Sequence, residues 1–372
     1  MKKISDAIYR FIKKETVFTI AVILGLISCF LVRPDGKYIS YIDFRVLSIL
    51  FCLMMLVAGL REQWIFRRLA EKLTAYVKTS TGLELILVIL PFFSSMLITN
   101  DVALITFVPF ALALLKGAGL ENRIIRVVVL QTVAANLGSM LTPIGNPQNL
   151  YLYNLSGMGF GTFLLTMLPL TVVSFVLLMI IVFVSKKEPI KVSFEKADVD
   201  ISRFKLTIIG ILFIICMGTV VRVIPWGISL ACVIVAGLIW FRSLFSAVDY
   251  YLLGTFIGFF VFVGNMQRIP AVENLISNLL EGHEMICAIG LSQLVSNVPC
   301  AMLLSGFTDD YIALLKGVDI GGLGTLIASM ASLISYKFYA VTKDSKKGKY
   351  MLTFTAYNLL FLAVLLVFEF IF

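Results

Sequence analysis

Two short stretches of apolar sequence each place a hydroxyl residue directly before an asparagine: Thr99-Asn100-Asp101 and Ser296-Asn297-Val298. Hydroxyl, amide and carboxylate oxygens can coordinate a cation such as Na⁺, and hydroxyl and amide donors can hold an anion. A duplicated pair of interrupted hydrophobic segments is also typical of the binding site of a transporter. These residue types therefore point to the binding of small ions at membrane depth.

A second polar interruption, rich in glycine, follows each stretch, at residues 136–143 and 319–326. The first continues through Pro143, Gly145 and Pro147, which cannot sustain a helical ladder and leave carbonyl groups free. The counterpart, residues 326–332, has no proline and should return to helix sooner. Aligned copies place these residues opposite one another: Thr99 and Ser296, Asn100 and Asn297, Asn136 and Asp319, Thr142 and Thr325.

The composition determines the class of protein that must position these residues. Of 372 residues, 60% are hydrophobic and 14% are charged, and the mean hydropathy is +0.99, which predicts an all-α polytopic membrane protein. The net charge of +9 arises in short segments between apolar runs, so it orients the chain in a bilayer and does not indicate nucleic-acid binding. The six cysteines are scattered, which indicates neither disulfides nor a metal cluster.

The apolar runs predict about nine membrane crossings and two further segments that carry the hydroxyl-Asn pairs. The expected crossings are residues 17–32, 39–60, 123–151, 161–184, 206–221, 227–241, 248–266, 317–338 and 350–372. If segments 82–115 and 284–306 enter the membrane and return, most basic residues fall on the side of the N-terminus. We therefore predict two re-entrant hairpins, a cytoplasmic N-terminus, an external C-terminus and a location in the bacterial inner membrane.

This topology predicts two inverted repeats, residues 17–184 and 227–372, each with a hairpin and a broken helix. The broken helices are residues 123–151 and 317–338. A basic cytoplasmic N-terminus, residues 1–16, precedes the repeats, and a cytoplasmic linker with a connecting helix, residues 185–226, joins them. Amphipathic segments 61–73 and 268–280 are expected to be interfacial helices that tether the hairpins, with ordinary loops as the alternative.

Non-helical backbone at membrane depth exposes polar groups that must meet protein, water or a ligand. Asp101 and Asp319 are the carboxylates expected near mid-membrane, where function is the default interpretation of a charge. Asp101 could carry a coupling cation or proton, or only cap the half-helix 102–115. Asp319 could do the same, or lie in an external vestibule because it is early in its predicted span. His283 is interpreted as a solvated turn residue, and Glu84 and Glu369 as interfacial.

The hairpin turns are predicted at Asp101 and at Pro299, and Na⁺ binding is expected at Thr99, Asn100, Asp101 and Asn136. No other cofactor is indicated. Substrate or ion binding is predicted for the polar and helix-breaking residues of the two hairpin tips and the two breaks: Thr99, Asn100, Asp101, Asn136, Thr142, Pro143, Gly145, Asn146, Asn149, Ser296, Asn297, Pro299, Asp319, Thr325 and Ser329.

Three segments carry a family resemblance: residues 97–104, residues 141–149 and residues 292–299. They resemble signatures of the ion transporter superfamily branch that holds arsenite permeases, sodium/proton antiporters of the NhaD type, citrate transporters and divalent anion:sodium symporters. The similarity covers nearly the whole chain and is closest to short bacterial permeases similar to citrate transporters. In the symporters, Ser-Asn-Thr motifs at the hairpin tips bind Na⁺ and substrate carboxylate, which implicates Thr99-Asn100 and Ser296-Asn297. The third motif position departs, being Asp101 and Val298.

The resemblance implies a homodimer in which a mobile domain carries substrate as an elevator. We expect a secondary active transporter of a small anion or oxyanion, driven by Na⁺ or H⁺. The alternatives are efflux of arsenite or antimonite, Na⁺/H⁺ antiport, and a passive channel without coupling. An enzyme is not expected, because the sequence has no HExxH, GxSxG or Walker motif and only one histidine.

Overall fold

The computed structural model describes Tyr9, Phe11, Ile12 and residues 15–190, 202–343 and 345–371. Most of the predicted basic N-terminus, residues 1–16, and part of the predicted linker, residues 191–201, lie outside the described residues. The described part of the chain is helical and has no named strand, only an isolated bridge between Thr79 and Pro189. The prediction of an all-α protein is confirmed.

Eighteen α-helices follow one another along the described chain. They are α1 (Thr16–Leu31), α2 (Tyr38–Tyr41), α3 (Phe44–Glu62), α4 (Ile65–Thr74), α5 (Ser80–Ile98), α6 (Asn100–Gly117), α7 (Ile124–Ser139), α8 (Pro147–Ser156), α9 (Phe160–Phe183), α10 (Arg203–Val220), α11 (Trp226–Trp240), α12 (Tyr250–Met266), α13 (Pro270–Leu280), α14 (Glu284–Val295), α15 (Asn297–Leu304), α16 (Tyr311–Gly321), α17 (Met330–Ala340) and α18 (Lys347–Ile371). Short 3-10 helices lie at Glu121–Arg123 and Arg242–Ala247.

Six of these helices, α3, α5, α6, α9, α10 and α18, are long and apolar enough to cross a membrane, which makes the chain a multi-pass membrane protein. Shorter apolar helices are α1, α11 and α14, and α13 leaves the axis of α12 at an angle of 104°. That sharp bend fits the predicted interfacial position of α13. The exact number of crossings and their orientation stay predictions.

The order of elements in the first half recurs in the second. Helices α3 to α9 form a span, a short amphipathic helix, a hairpin, a broken helix and a long span, and α12 to α18 repeat that order. The arms of the first hairpin have 19 and 18 residues, whereas those of the second have 12 and 8. At about 1.5 Å per residue, the second pair of arms is too short to cross a bilayer.

Small residues let α1 and α12 pack closely. A methyl group at Gly25 would lie 3.1 Å from the carbonyl oxygen of Gly258, and one at Gly258 would lie 2.8 Å from that of Ala21. At the end of the same contact, the Asn265 amide donates to the Ser28 hydroxyl at 2.9 Å. Such close packing with a buried hydrogen bond is how helices associate where lipid offers no hydrophobic driving force.

Glu84 is buried within the protein, and its interfacial depth in the membrane stays a prediction. Its carboxylate lies 2.8 Å from Arg126 and 3.4 Å from Arg123, with 1% of the side chain exposed. Arg123 also contacts Glu188, which follows α9, at 3.5 Å. The ion pairs therefore tie the first hairpin arm to the start of α7 and to the segment after α9.

The second broken helix begins earlier than predicted, at Tyr311 rather than at residue 317. Asp310 caps it by accepting from the Ala313 amide at 2.9 Å. Lys316, expected in a loop, lies within α16 and pairs with Glu369 of α18 at 2.7 Å. Because the helix starts sooner, Asp319 lies near its C-terminal end and is 4% exposed, so it does not line an open vestibule in this structure.

Candidate functional site

Each hairpin turns at one residue with an unusual backbone. Thr99 separates α5 from α6 with φ 64° and ψ 148°, and Ser296 separates α14 from α15 with φ 77° and ψ 153°. A positive φ is strained for any residue with a Cβ, and most of all for the β-branched Thr99. The turns predicted at Asp101 and Pro299 are therefore wrong by a few residues, because both residues lie within the helices that follow.

The same main-chain hydrogen bond ties each tip to the break of its own half. The Asn100 amide donates to the carbonyl of Gly145 at 3.1 Å, and the Asn297 amide donates to the carbonyl of Ala328 at 2.9 Å. Both asparagine side chains also accept from the next main-chain amide, at 2.9 Å and 3.0 Å. Each tip therefore has a fixed position against unwound backbone, as the aligned sequence copies require.

Two further contacts recur in both halves. The Thr142 hydroxyl donates to the carbonyl of Met96, and the Thr325 hydroxyl donates to that of Gln293 at 3.0 Å. A methyl group at Gly138 or at Gly321 would lie 2.8 Å from a serine hydroxyl, that of Ser95 or Ser292. Thr142 and Thr325 therefore hold the hairpins against the breaks, and their role in binding stays a prediction.

The two breaks have similar lengths, residues 140–146 and 322–329, so the prediction that the second returns to helix sooner is wrong. Gly324, with φ 109°, unwinds the second break without proline. The Gln293 side chain replaces the lost ladder: its amide nitrogen donates to the carbonyls of Gly321 and Leu323, and its oxygen accepts from the Thr325 amide. Sequence reasoning missed this role of Gln293.

Side chains of the two breaks contact each other reciprocally. The Asn146 amide nitrogen donates to Asp319 Oδ1 at 3.3 Å, and the Ser329 hydroxyl donates to Asn136 Oδ1 at 3.1 Å. Asn146 and Ser329 both lie directly before the second half of their broken helix, at the N-cap positions of α8 and α17. The hydrogen bonds therefore join the halves of the chain at the predicted site.

Asp319 is the most isolated charge in this network. Its Oδ1 accepts from Asn146 and, at 3.2 Å, from Gln148, whereas its Oδ2 has no hydrogen-bond partner among the described residues. No Lys or Arg of the described chain lies within 4.0 Å of it. A desolvated carboxylate without a counter-charge costs several kcal/mol, of order 3 at the centre of a membrane helix. Gln148 is a further residue of this site that the sequence did not lead us to predict, although it lies two positions after Asn146.

Asn136 occupies the matching place in the first half. Its Oδ1 accepts from Asn100 at 3.0 Å as well as from Ser329, and its Nδ2 has no partner within the described chain. Asn149 Oδ1, Ser292 Oγ and Ser332 Oγ are likewise buried without a described partner. Buried polar atoms are normally paired, so these atoms leave hydrogen-bonding capacity for a ligand beside the breaks, although unpartnered buried atoms such as Gln131 Oε1 also occur elsewhere in the described chain.

A cavity of about 270 Å³ reaches the first tip and the first break. It lies between α3 and α12 on one side and α6, α8 and α17 on the other, and Asn146 connects it to Asp319. Its polar lining consists of Arg61, Thr99, Asp101, Asn146 and Asp249. A second cavity of about 560 Å³, beside α4, shares Arg61 and Ile105 with the first. Nothing in the sequence pattern indicated that Arg61 and Asp249 line the cavity of Asp101, because their place depends on packing.

The other predicted site residues have more limited contacts. Pro143 and Pro299 are buried, and Asn149 donates to the carbonyl of Met140 at 3.3 Å. His283 is exposed, as expected of a turn residue. No group of three or more His, Cys, Asp or Glu side chains that could hold a metal occurs within the described residues. In the predicted Na⁺ quartet, the Asn100 and Asn136 side-chain oxygens already accept hydrogen bonds, so Na⁺ binding there stays a prediction.

Comparison with known proteins agrees with this architecture. The family model of the citrate transporters matches residues 7–310. The inner membrane protein YbiR of Escherichia coli is 28% identical over 88% of this chain and 89% of its own. An uncharacterized transporter of Methanocaldococcus jannaschii is 32% identical over 86% of this chain and 88% of its own. A silicon efflux transporter of Oryza sativa is 32% identical over 37% of this chain and 28% of its own.

The matched region includes both hairpins and the first break, so the tips and Asn146 fall within the part of the chain that defines the family. Because the match extends over most of the chain, and because transporters occur among its relatives over nearly their whole length, the protein is a membrane transporter. The resemblance inferred from the three sequence signatures is confirmed. The chain belongs to the citrate transporter family.

Proposed function

We propose that the protein is a secondary active transporter of a small anion or oxyanion, coupled to Na⁺ or H⁺. The observation that carries the proposal is the carboxylate of Asp319, which is buried between the two breaks with one oxygen unpartnered. A transporter of a membrane family needs a group that binds its coupling ion reversibly. Asp319 has the chemistry and the place for that role.

A cation or a proton is what this carboxylate lacks. Asn146 and Gln148 supply two neutral N–H donors to one oxygen, and the described residues supply no cationic partner. A bound Na⁺ or a proton at Oδ2 would remove the cost of the buried charge. Binding and release of that cation would then change the net charge at Asp319, which lies between the two breaks. A change of charge at this position would couple the movement of the protein to the cation gradient.

The anion is assigned to the cavity at the first tip. Arg61 contributes a positive charge, and Thr99 and Asn146 offer a hydroxyl and an amide within the same 270 Å³ lining. Asp101 and Asp249 also line the cavity, so an anion would enter together with a cation or protons that offset these carboxylates. That volume suits a small carboxylate or an inorganic oxyanion. The citrate transporter family favours di- and tricarboxylate-like substrates among these.

An elevator-type movement of a homodimer is part of the proposal. The cavity has α3 and α12 on one wall and the hairpin and broken helices on the other, which is where a static scaffold would meet a moving domain. The close packing of α1 with α12 supports a rigid scaffold. Alternating access by one packed unit against another is common among transporters with discontinuous helices.

The second candidate is efflux of a neutral or anionic oxyacid, such as arsenite or antimonite, or Na⁺/H⁺ exchange. Two carboxylates, Asp101 and Asp319, lie on either side of Asn146, and a pair of carboxylates can exchange Na⁺ for H⁺ without any anion. The similarity to a silicon efflux transporter over 138 residues also favours export of an oxyacid.

Proteoliposomes that contain a pH dye test the proposal. We expect citrate, related carboxylates, sulfate, phosphate or arsenite to be accumulated only when a Na⁺ or H⁺ gradient is imposed. Asp319→Asn should abolish gradient-driven accumulation. Asp309→Asn, the same change at an exposed residue before α16, should leave it intact.

Three results would contradict the proposal. Na⁺-evoked proton flux in the absence of any anion would favour antiport. Saturable uptake that survives collapse of both gradients would favour a passive pathway. Gradient-driven accumulation by Asp319→Asn at the wild-type rate would remove Asp319 from the coupling site.

A further inference from the structure

A basic cleft lies apart from the hairpin tips, where the end of α6 and the start of α7 meet the loop between α17 and α18. The cleft encloses about 550 Å³. Its lining combines lysines with a few polar and apolar side chains: Lys116, Lys343, Lys346, Lys349, Glu121, Asn122, Thr342, Ile124, Ile125 and Tyr339. No residue proposed above for ion or anion transport contributes to it.

Two of these lysines, Lys343 and Lys346, lie between α17 and α18, and defined contacts join the described residues of that region. Tyr339 and Tyr350 stack with ring centroids 4.8 Å apart and an interplanar angle of 20°. The main-chain amide of Lys346 donates to the Tyr339 hydroxyl at 2.8 Å, and the Ser345 hydroxyl donates to the carbonyl of Ala340 at 3.2 Å. Since both tyrosine rings are buried, the cleft is preorganised rather than a set of loose surface lysines.

Positive charge in the cleft is not balanced by the described acidic residues. None of the four lysines forms an ion pair within 4.0 Å in the described part of the chain, and Glu121 is the one acidic residue of the lining. Asp344 lies outside the described residues. Counted from the sequence, residues 343–349 contain Lys343, Lys346, Lys347 and Lys349 against Asp344, which leaves a net charge of +3.

We propose that this cleft binds a phosphate group, either the headgroup of an anionic phospholipid or a soluble phosphate. Four ammonium groups with the Asn122 amide and the Thr342 hydroxyl form a donor set for phosphate oxygens. Lys116 is in the last turn of one helix long enough to span a membrane, and Lys349 is in the first turn of another, so the cleft lies at headgroup depth. Ile124 and Ile125 offer an apolar border for the glycerol end of a lipid.

A phosphate bound there would link the two halves of the chain. Lys116 ends the first hairpin, whereas Lys343, Lys346 and Lys349 surround the start of α18. An anion between them would offset the repulsion among the four like charges. Occupancy should therefore stabilise the fold as well as fill a site.

Purified, delipidated protein in a neutral detergent tests the site by native mass spectrometry and thermal unfolding. The probes are phosphatidylglycerol, phosphatidylcholine with the same acyl chains, and inorganic diphosphate. The variant carries Lys116→Gln, Lys343→Gln, Lys346→Gln and Lys349→Gln. The control carries the same change at four basic residues outside the cleft: Lys72, Lys78, Lys187 and Lys205. A third protein replaces the four cleft lysines by arginine, to show whether charge alone restores binding.

If the ligand is a lipid, we expect one phosphatidylglycerol molecule to bind saturably and to raise the midpoint of thermal unfolding. Both its affinity and its effect on the midpoint should be larger than those of phosphatidylcholine. If it is a soluble phosphate, diphosphate has that effect instead. In both cases the affinity of the Gln variant for that probe should fall roughly fivefold for each lysine removed. The control should keep the wild-type affinity, and the Arg variant should regain it. Equal loss in the cleft variant and the control, or wild-type affinity in the cleft variant, would overturn the assignment.

Discussion

Asn146 donates a hydrogen bond to Asp319 at 3.3 Å although the two residues lie in the broken helices of opposite halves of the chain. Ser329 and Asn136 make the matching contact at 3.1 Å. In each case the donor is the N-cap residue of the second half of one broken helix. The acceptor lies near the C-terminal end of the first half of the other broken helix, α16 or α7. The candidate site is therefore built by exchange of contacts between the halves.

The Asn146 donor can be removed without losing the helix cap. Asn146→Ser keeps a side-chain oxygen that can accept from the Asn149 amide, but it removes the nitrogen that contacts Asp319. Because a hydrogen bond to a charged group contributes about 1.5–3 kcal/mol, we expect transport to fall roughly tenfold or more and the stability to fall by no more than that amount, since the cap is kept. Proteoliposome uptake and thermal unfolding measure the two effects. The exposed control Asn278→Ser should change neither, and unchanged uptake in Asn146→Ser would show that the contact is dispensable.

The strained turn at Thr99 predicts an unusual preference for glycine. With φ at 64°, Thr99→Gly should be more stable than Thr99→Ala by about 1 kcal/mol, since alanine keeps the strain and glycine does not. Within α6, where φ is helical, Val102→Ala should instead be more stable than Val102→Gly by about 1 kcal/mol. Thermal midpoints of the four variants test the reversal. The same order at both positions would mean that the tip is not strained.

The contact between α7 and α5 leaves no room for a side chain at Gly138. A methyl group there would lie 2.0 Å from the carbonyl oxygen of Phe92, so Gly138→Ala should prevent folding or lower the yield of dispersed protein severely. Gly321→Ala meets Ser292 Oγ at 2.8 Å, Ser292 Cβ at 2.9 Å and Ile289 Cα at 3.0 Å, which is a milder overlap than 2.0 Å, so its effect should be smaller. Gly290→Ala meets nothing within 4 Å and should be neutral or stabilising by up to about 1 kcal/mol. Size-exclusion profiles rank the three, and a monodisperse Gly138→Ala would contradict the packing.

Arg61 should affect the substrate more than the coupling ion. If it attracts the anion into the cavity, Arg61→Gln should raise the KM for the transported anion roughly tenfold with a smaller effect on the maximal rate. Lys72→Gln, an exposed basic residue of α4 outside both cavities, serves as the control. Uptake as a function of anion concentration separates KM from rate. An unchanged KM in Arg61→Gln would remove Arg61 from the anion pathway.

The sequence was sufficient for the class of protein and for the two short stretches in which the hairpins turn, although not for the turn residues themselves. An apolar chain in a bilayer must satisfy its backbone internally, so hydropathy predicts helices, and a polar pair inside such a run predicts a break. The hairpin turns lie at Thr99 and Ser296, within the hydroxyl-Asn stretches identified at the outset. The sequence alignment placed Asn136 opposite Asp319, and in the structure each of the two accepts a hydrogen bond from the N-cap residue of the other half.

What the sequence could not supply depends on contacts between distant elements. Asp309, Asp310 and Lys316 are typical of a loop, yet a cap at Asp310 and an ion pair with Glu369 allow α16 to begin there. Glu84 is buried because Arg123 and Arg126 meet it from another helix. Whether a charged residue in such a segment lies in a loop or in a helix, exposed or buried, depends on the partners that packing brings to it.

Because the reciprocal contacts join the two halves of the chain, the candidate site can form only after both halves have been synthesised. Asp319 and Ser329 are made long after the first hairpin and its broken helix have left the ribosome. Until they arrive, Asn136 and Asn146 have no partner from the second half, and the first half has only part of a binding site. A nascent chain that has inserted only its first half therefore lacks the carboxylate of Asp319 and the donor of Ser329, and the candidate site is complete only after the second broken helix has been synthesised.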